Sequence, residues 1–185
     1  MTETRTTAFG RPVAGRRDIE RFLRVDHAGE RAAQQIYRGQ LAILRNHATG
    51  PQIQHMMEQE VEHLEAFEDL LNERQVRPSL LDPVWGAAGF ALGAVTAAMG
   101  PKAAMACTIA VEEVIDEHYA QQINQLRADP AERELADDLE RFRQEEADHR
   151  DLATARGGTE TAGYGLLRGV IRRGCKTAIW LSERF

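Results

Sequence analysis

The chain has 185 residues, enough for one domain with a substantial buried core, and its 43% hydrophobic and 28% charged composition is that of a globular protein. A net charge of −6 argues against non-specific nucleic-acid binding, and no aromatic-plus-basic stacking motif is present. Two cysteines, Cys107 and Cys175, cannot build a disulfide framework; Cys107 lies in an apolar helical run that calls for a small hydrophobe, and a reducing compartment fits both.

In chain order, the N-terminal "MTETRTTAFGRPVAGRR" lacks the apolar stretch of a secretory signal. Although faintly like a transit peptide, it is read as a disordered lead-in over residues 1–16 ahead of one domain over 17–185. Helical periodicity then dominates. A first helix is expected from about Arg17 to His47, with Ile19, Leu23, Glu30, Ala33, Tyr37 and Leu44 on one face. A second starts near Pro51, a favoured first-turn residue, and carries Ile53, Met57, Glu60, Leu64, Phe67 and Leu71 before Pro78 and Pro83 end it.

From Val84 to Gly100 no residue is charged, and Gly100-Pro101 breaks the run. As a helix this segment reaches about 25 Å, short of a bilayer core, so a surface-lying or membrane-dipping helix is expected. Gly89-x-x-x-Gly93 in it suits close helix approach, to another helix in a membrane or inside the domain. A third long helix is expected over about Pro101 to Arg127, with Met105, Glu112, Ile115, Tyr119, Ile123 and Leu126 in line. A fourth, about Ala131 to Arg156, ends at "RGG". The last, about Thr161 to Glu183, sets Leu166, Leu167, Val170, Ile171, Ile179 and Leu181 among Arg168, Arg172, Arg173 and Lys176, either as a basic interfacial helix near anionic lipid or as a closing helix with its basic face in water.

Each of the four long helices has a glutamate on its apolar stripe: Glu30, Glu60, Glu112 and Glu146. Two are followed by histidine three residues on, His63 after Glu60 and His149 after Glu146, and residues at that spacing share a helix face. One Glu-x-x-His alone is usually a solvated face, and Glu58, Glu62, Glu65 and Asp69 are read that way, as is Glu113 beside Glu112. The ordered set Glu30, Glu60-x-x-His63, Glu112, Glu146-x-x-His149 is instead the donor pattern of ferritin-like di-iron and di-manganese bundles. Four ionised carboxylates buried together repel, and two divalent cations cancel them; the oxygen-rich set suits iron or manganese over structural zinc. The expected architecture is therefore all-α, a ferritin-like four-helix bundle with additional amphipathic helices for membrane contact. Asp26 and Glu145 are candidates to bond the outer nitrogens of the ligating histidines.

The blocks "RVDHAGERAAQQIYRGQ", "MEQEVEHL", "RPSLLDPVWGAAGFALGA", "MACTIAVEEVIDEHY", "RQEEADHRD" and "AIWLSERF" together resemble the demethoxyubiquinone hydroxylase family of ubiquinone biosynthesis, over about Asp18 to Phe185. The resemblance implies an O2-dependent di-iron mono-oxygenase, with two iron ions, that hydroxylates the ring of a polyprenylated demethoxy-ubiquinol. It implies Glu30, Glu60, His63, Glu112, Glu146 and His149 as iron ligands, Glu60 and Glu146 bridging, and His118 and Tyr119 as a pair near the substrate and in electron delivery. Electrons would come from NADH or from the quinol itself; no G-x-G-x-x-G loop marks a nucleotide site. The implied surroundings are a membrane surface, peripherally on the cytoplasmic face of a bacterial inner membrane or the matrix side of the mitochondrial one, with a lipid-binding partner protein and with self-association left open. An iron-storage or peroxide-scavenging ferritin or rubrerythrin relative is the alternative function.

Overall fold

A computed structural model describes residues 14–185. The lead-in expected over residues 1–16 lies outside these up to residue 13; Ala14 is buried in the core and Arg16 already opens the first helix. The elements are α1 (Arg16–Leu44), α2 (Gly50–Glu73), α3 (Asp82–Ala98), α4 (Pro101–Leu126), α5 (Arg133–Ala155) and α6 (Tyr164–Ser182), with short 3-10 turns at Pro130–Glu132 and Gly158–Glu160. Each boundary follows local chemistry. Proline sits in the first turn of α2, α3 and α4, where its missing N–H costs nothing. Gly157, at φ 81°, lets the chain turn left-handed directly after α5, a conformation that other residues enter at a cost.

The four long helices α1, α2, α4 and α5 form the bundle, α1 packed on α2 and α4 on α5. Their buried apolar residues fall into two clusters. One holds Phe22, Leu23, Phe67, Leu71, Tyr119, Ile123, Leu139 and Phe142; the other holds Tyr37, Leu41, Ile53, Met56, Met105, Ile109 and Ala153. Following the chain, α1 and α5 run from the first cluster to the second, while α2 and α4 run the other way. Two helices that are consecutive in the bundle and parallel need a long connection, and the segment containing α3 supplies it. Between the clusters, at mid-height of every helix, lie the stripe glutamates.

Helix α3 packs on α1 at backbone contact. A Cβ on Gly93 would sit 1.9 Å from the Ile36 carbonyl oxygen, one on Gly89 2.5 Å from that of Ala32, and one on Gly39 2.2 Å from that of Phe90. The glycine spacing thus serves helix packing inside the domain. Its other face leaves Val84, Phe90, Val95 and Met99 exposed, and α6 leaves Leu166, Val170 and Trp180 exposed. Among the described residues, no helix is long and apolar enough to cross a membrane.

The basic row of α6 differs from the lipid-facing arrangement considered from sequence. Arg168 Nε and Arg172 Nη1 donate to Glu113 at 2.7 and 2.8 Å, and Arg172 and Lys176 pair with Glu117 at 2.5 and 2.9 Å. Helix α4 therefore supplies the counter-charges. The row ties α6 to the bundle, and of these four cations Arg173 alone has no ion pair among the described residues.

Candidate metal centre

The stripe positions that interrupt the apolar pattern turn inward together. Glu30, Glu60, His63, Glu112, Glu146 and His149 are each at most 2% exposed. Their donor atoms form two groups: Glu30, Glu60, His63 and Glu146, and Glu60, Glu112, Glu146 and His149. Within each group the atoms lie within 4.8 Å of one another, and Glu60 and Glu146 belong to both. Glu113, one residue from Glu112, points to α6 instead, as the helical rotation of about 100° per residue requires. Glu58, Glu62, Glu65 and Asp69 are exposed, as expected of a solvated face.

Both imidazoles are oriented from outside. His63 Nε2 donates to Glu145 Oε2 at 2.5 Å, and its Nδ1 faces Glu146 at 3.2 Å and Glu30 at 3.6 Å. His149 Nε2 donates to Gln59 Oε1 at 3.0 Å, and its Nδ1 faces Glu146 at 3.1 Å and Glu60 at 3.4 Å. Each ring thus has an outward acceptor for its Nε2–H and turns Nδ1 into the centre, the nitrogen that a metal would take in place of a proton. Glu145 occupies the place suggested for it. Asp26 does not: its partners are Gln122 Nε2, which donates to Oδ1 at 2.8 Å, and His118, 3.5 Å away.

Two tyrosines close the site. Tyr37 Oη donates to Glu112 Oε1 at 2.8 Å and Tyr119 Oη donates to Glu30 Oε1. Periodicity marks Tyr37 and Tyr119 as core, yet it cannot show that their hydroxyls hold carboxylates. Gln59 and Gln122 carried no signal beyond their spacing, one residue before Glu60 and four after His118.

Electrostatics show what the pocket lacks. Burial, then the neighbouring Glu146 and Glu30 carboxylates, pushes Glu60 well above the ordinary carboxylate range; burial with Glu146 and Glu60 does the same to Glu112. Burial also acts on Glu146, but hydrogen bonds from His149 and His63 outweigh it and hold the acid at about 2. For His63, burial opposes charge, and Glu146 and Glu30 overcome it to raise the imidazole to about 12. His149 is raised in the same manner by Glu146, against burial. Even so, Glu30 Oε2, both oxygens of Glu60, His63 Nδ1, Glu112 Oε2 and Glu146 Oε1 are buried with no hydrogen-bond partner. Orphaned buried donors and acceptors are costly, so so many at one point mark a cation site. Two iron ions fit this set: four carboxylates balance two divalent charges, and the unpartnered atoms all converge.

A cavity of about 410 Å³ opens beside the centre between α1, α3, α4 and α6. Ala33, Ile36, Leu92, Val111, Val114, Ile115, Ile171 and Ile179 are among the apolar residues of its wall, and Glu30 and Tyr119 stand at the metal end with Asp26 and His118. At another edge Trp85 Nε1 donates to Ser182 Oγ at 2.8 Å, joining α3 to α6.

The family model described as ubiquinone biosynthesis protein COQ7 matches residues 17–182. A Rhodospirillum rubrum protein named 3-demethoxyubiquinol 3-hydroxylase is 50% identical over 167 residues, 90% of this chain and 78% of that one. The mouse mitochondrial NADPH-dependent 3-demethoxyubiquinone 3-hydroxylase is 47% identical over 169 residues, again 90% and 78% of the two chains. The mitochondrial 5-demethoxyubiquinone hydroxylase of Saccharomyces cerevisiae is 40% identical over 181 residues, with the same coverage.

Proposed function

We propose, because this chain belongs to the COQ7 family of ubiquinone biosynthesis proteins, that it is an O2-dependent di-iron mono-oxygenase hydroxylating the ring of a demethoxy-ubiquinol. The observation that carries this reading is the pair of donor groups sharing Glu60 and Glu146 at the end of an apolar cavity. Glu30, Glu60, His63 and Glu146 would hold one iron, and Glu60, Glu112, Glu146 and His149 the other. When bound, two ferrous ions supply electrons to O2 and the means of inserting one of its atoms into an aromatic C–H bond.

The protein does the rest. Tyr37 and Tyr119 each hold one oxygen of a terminal carboxylate by donating to it, leaving the other oxygen for metal. Glu145 and Gln59 accept from Nε2 of the two histidines, so that Nδ1 is aimed inward and is the nitrogen left to metal when its proton is displaced. The apolar wall excludes water and seats a substituted aromatic ring, while His118 and Tyr119 stand where the ring meets the centre. Peroxide scavenging or iron storage would have no use for such a cavity.

The isoprenoid tail requires access from a bilayer. The exposed residues Val84, Phe90, Val95, Met99, Leu166, Val170 and Trp180 on α3 and α6, the helices that wall the cavity, support peripheral seating on a membrane surface by this face. Because Arg168, Arg172 and Lys176 are paired within the fold, seating is apolar more than electrostatic.

The test is anaerobic loading with ferrous iron, addition of a short-tailed demethoxy-quinol and exposure to 18O2. One heavy oxygen should enter the ring. Peroxide consumption without ring hydroxylation would establish the ferritin- or rubrerythrin-like alternative instead.

A further inference from the structure

The polar groups at the metal end of the cavity are an unbalanced set. Gln122 is 1% exposed and its amide nitrogen has two hydrogens; one goes to Asp26 Oδ1 at 2.8 Å and the other faces His118 Nε2 at 2.8 Å. Tyr119 has already given its hydroxyl hydrogen to Glu30. Gln122 and Tyr119 have therefore spent their hydrogens inside the protein, and His118, whose Nε2 accepts from Gln122, keeps one N–H on Nδ1. Two acceptors are unspent: Asp26 Oδ2 and Gln122 Oε1 are both buried without a partner. Neither belongs to the metal-binding groups, so a cation at the centre does not satisfy them.

Asp26 forms part of the cavity wall and is 4% exposed. Its carboxyl is anchored through one oxygen alone, and the terminal torsion of aspartate is broad, so the free oxygen can turn to a ligand. What an unpartnered carboxylate oxygen in the wall of an otherwise apolar cavity recognises is a donor on an aromatic ring. A hydroquinone has two hydroxyl donors; the corresponding quinone has two carbonyl acceptors and would face Asp26 with repulsion.

We propose that Asp26, anchored by Gln122, selects the reduced form of the substrate by accepting a hydrogen bond from a ring hydroxyl. The inference rests on the hydroxylase reading and adds to it the redox state the site admits and the residue that reads it. A hydrogen bond made by one redox form and lost by the other discriminates by about tenfold. By linkage, the two-electron potential of the bound couple would rise by about 30 mV for each tenfold preference.

Equilibrium dialysis under strict anaerobiosis decides it, using iron-loaded protein and a demethoxy-benzoquinone with one isoprene unit, oxidised or reduced. The wild type should bind the quinol at least about tenfold more tightly than the quinone. Asp26→Asn, whose amide can donate as well as accept, should bring the two within about threefold while iron content stays unchanged. Gln122→Leu, which removes the anchor and no charge, should lose part of the preference, and it takes the place of Asp26→Asn if that variant does not fold. Equal binding of both forms by wild type, or a full preference surviving in either variant, overturns the role of Asp26 and leaves the hydroxylase reading standing. Failure of both forms to bind wild type brings down both readings.

Discussion

Loading the centre with metal must expel protons. At pH 7 the metal-free site holds one on His63, raised to about 12, while burial and neighbouring carboxylates push Glu60 and Glu112 well up, toward their protonated forms. Glu146, held at about 2, has none to give. Metal requires neutral imidazole nitrogen and ionised carboxylate, so filling both positions should release at least about one proton at pH 7, from His63, and more as Glu60, Glu112 and His149 contribute. The apparent affinity for the ion pair should then rise at least about tenfold per pH unit near neutrality. Anaerobic calorimetry with ferrous iron, repeated in phosphate and in Tris, measures the number directly from the difference in buffer ionisation heat. A release below about one proton per two ions would refute the electrostatic account of the centre.

Other outcomes follow from the same groups. The stability of metal-free protein should depend on pH in a definite direction. Glu60 and Glu112 favour protons that the unfolded chain loses above about 4.5, and His63, raised to about 12, keeps one that it loses above 6.5, so stability falls as pH rises above about 4.5. Glu146 works oppositely, adding stability between about 2 and 4.5. Thermal unfolding in chelator should show a maximum near pH 5, and a maximum at pH 8 would contradict it. Glu112→Gln should abolish hydroxylation and cut iron content, while Glu113→Gln should leave both unchanged and loosen α6, measurable as faster amide exchange there. Gly93→Ala forces a methyl to 1.9 Å from the Ile36 carbonyl, so α1 and α3 must part at a cost of about 3 kcal/mol, read in urea unfolding. Sedimentation with neutral vesicles should fall when Leu166 and Val170 are both changed to Asp, and should respond little to added anionic lipid in the wild type.

Sequence alone determined the helices and the metal ligand candidates, because both depend on short-range periodicity. A glutamate three residues before a histidine, on a stripe otherwise made of Leu, Phe and Ala, is visible without any knowledge of the partner helices. The choice of Glu112 over Glu113 could be made for the same reason, since one residue of helix changes the face. Where the chain returns on itself, local pattern no longer helps. The Tyr37 and Tyr119 hydroxyls reach carboxylates 75 and 89 residues away, and Gln122 bonds Asp26 across 96 residues.

Charge on α6 is the clearest case of what only tertiary structure could decide. Read by itself, the helix has the composition of a basic interfacial element, and its cations would face lipid. Packed against α4, the same cations meet Glu113 and Glu117, and the apolar residues Leu166 and Val170 are what remain exposed. Likewise the glycine pair of α3 fits either a membrane contact or an internal one until Ile36 and Ala32 of α1 are found against it. Periodicity tells which side of a helix is apolar; only the packed partner, through counter-charge and steric fit, tells what that side meets.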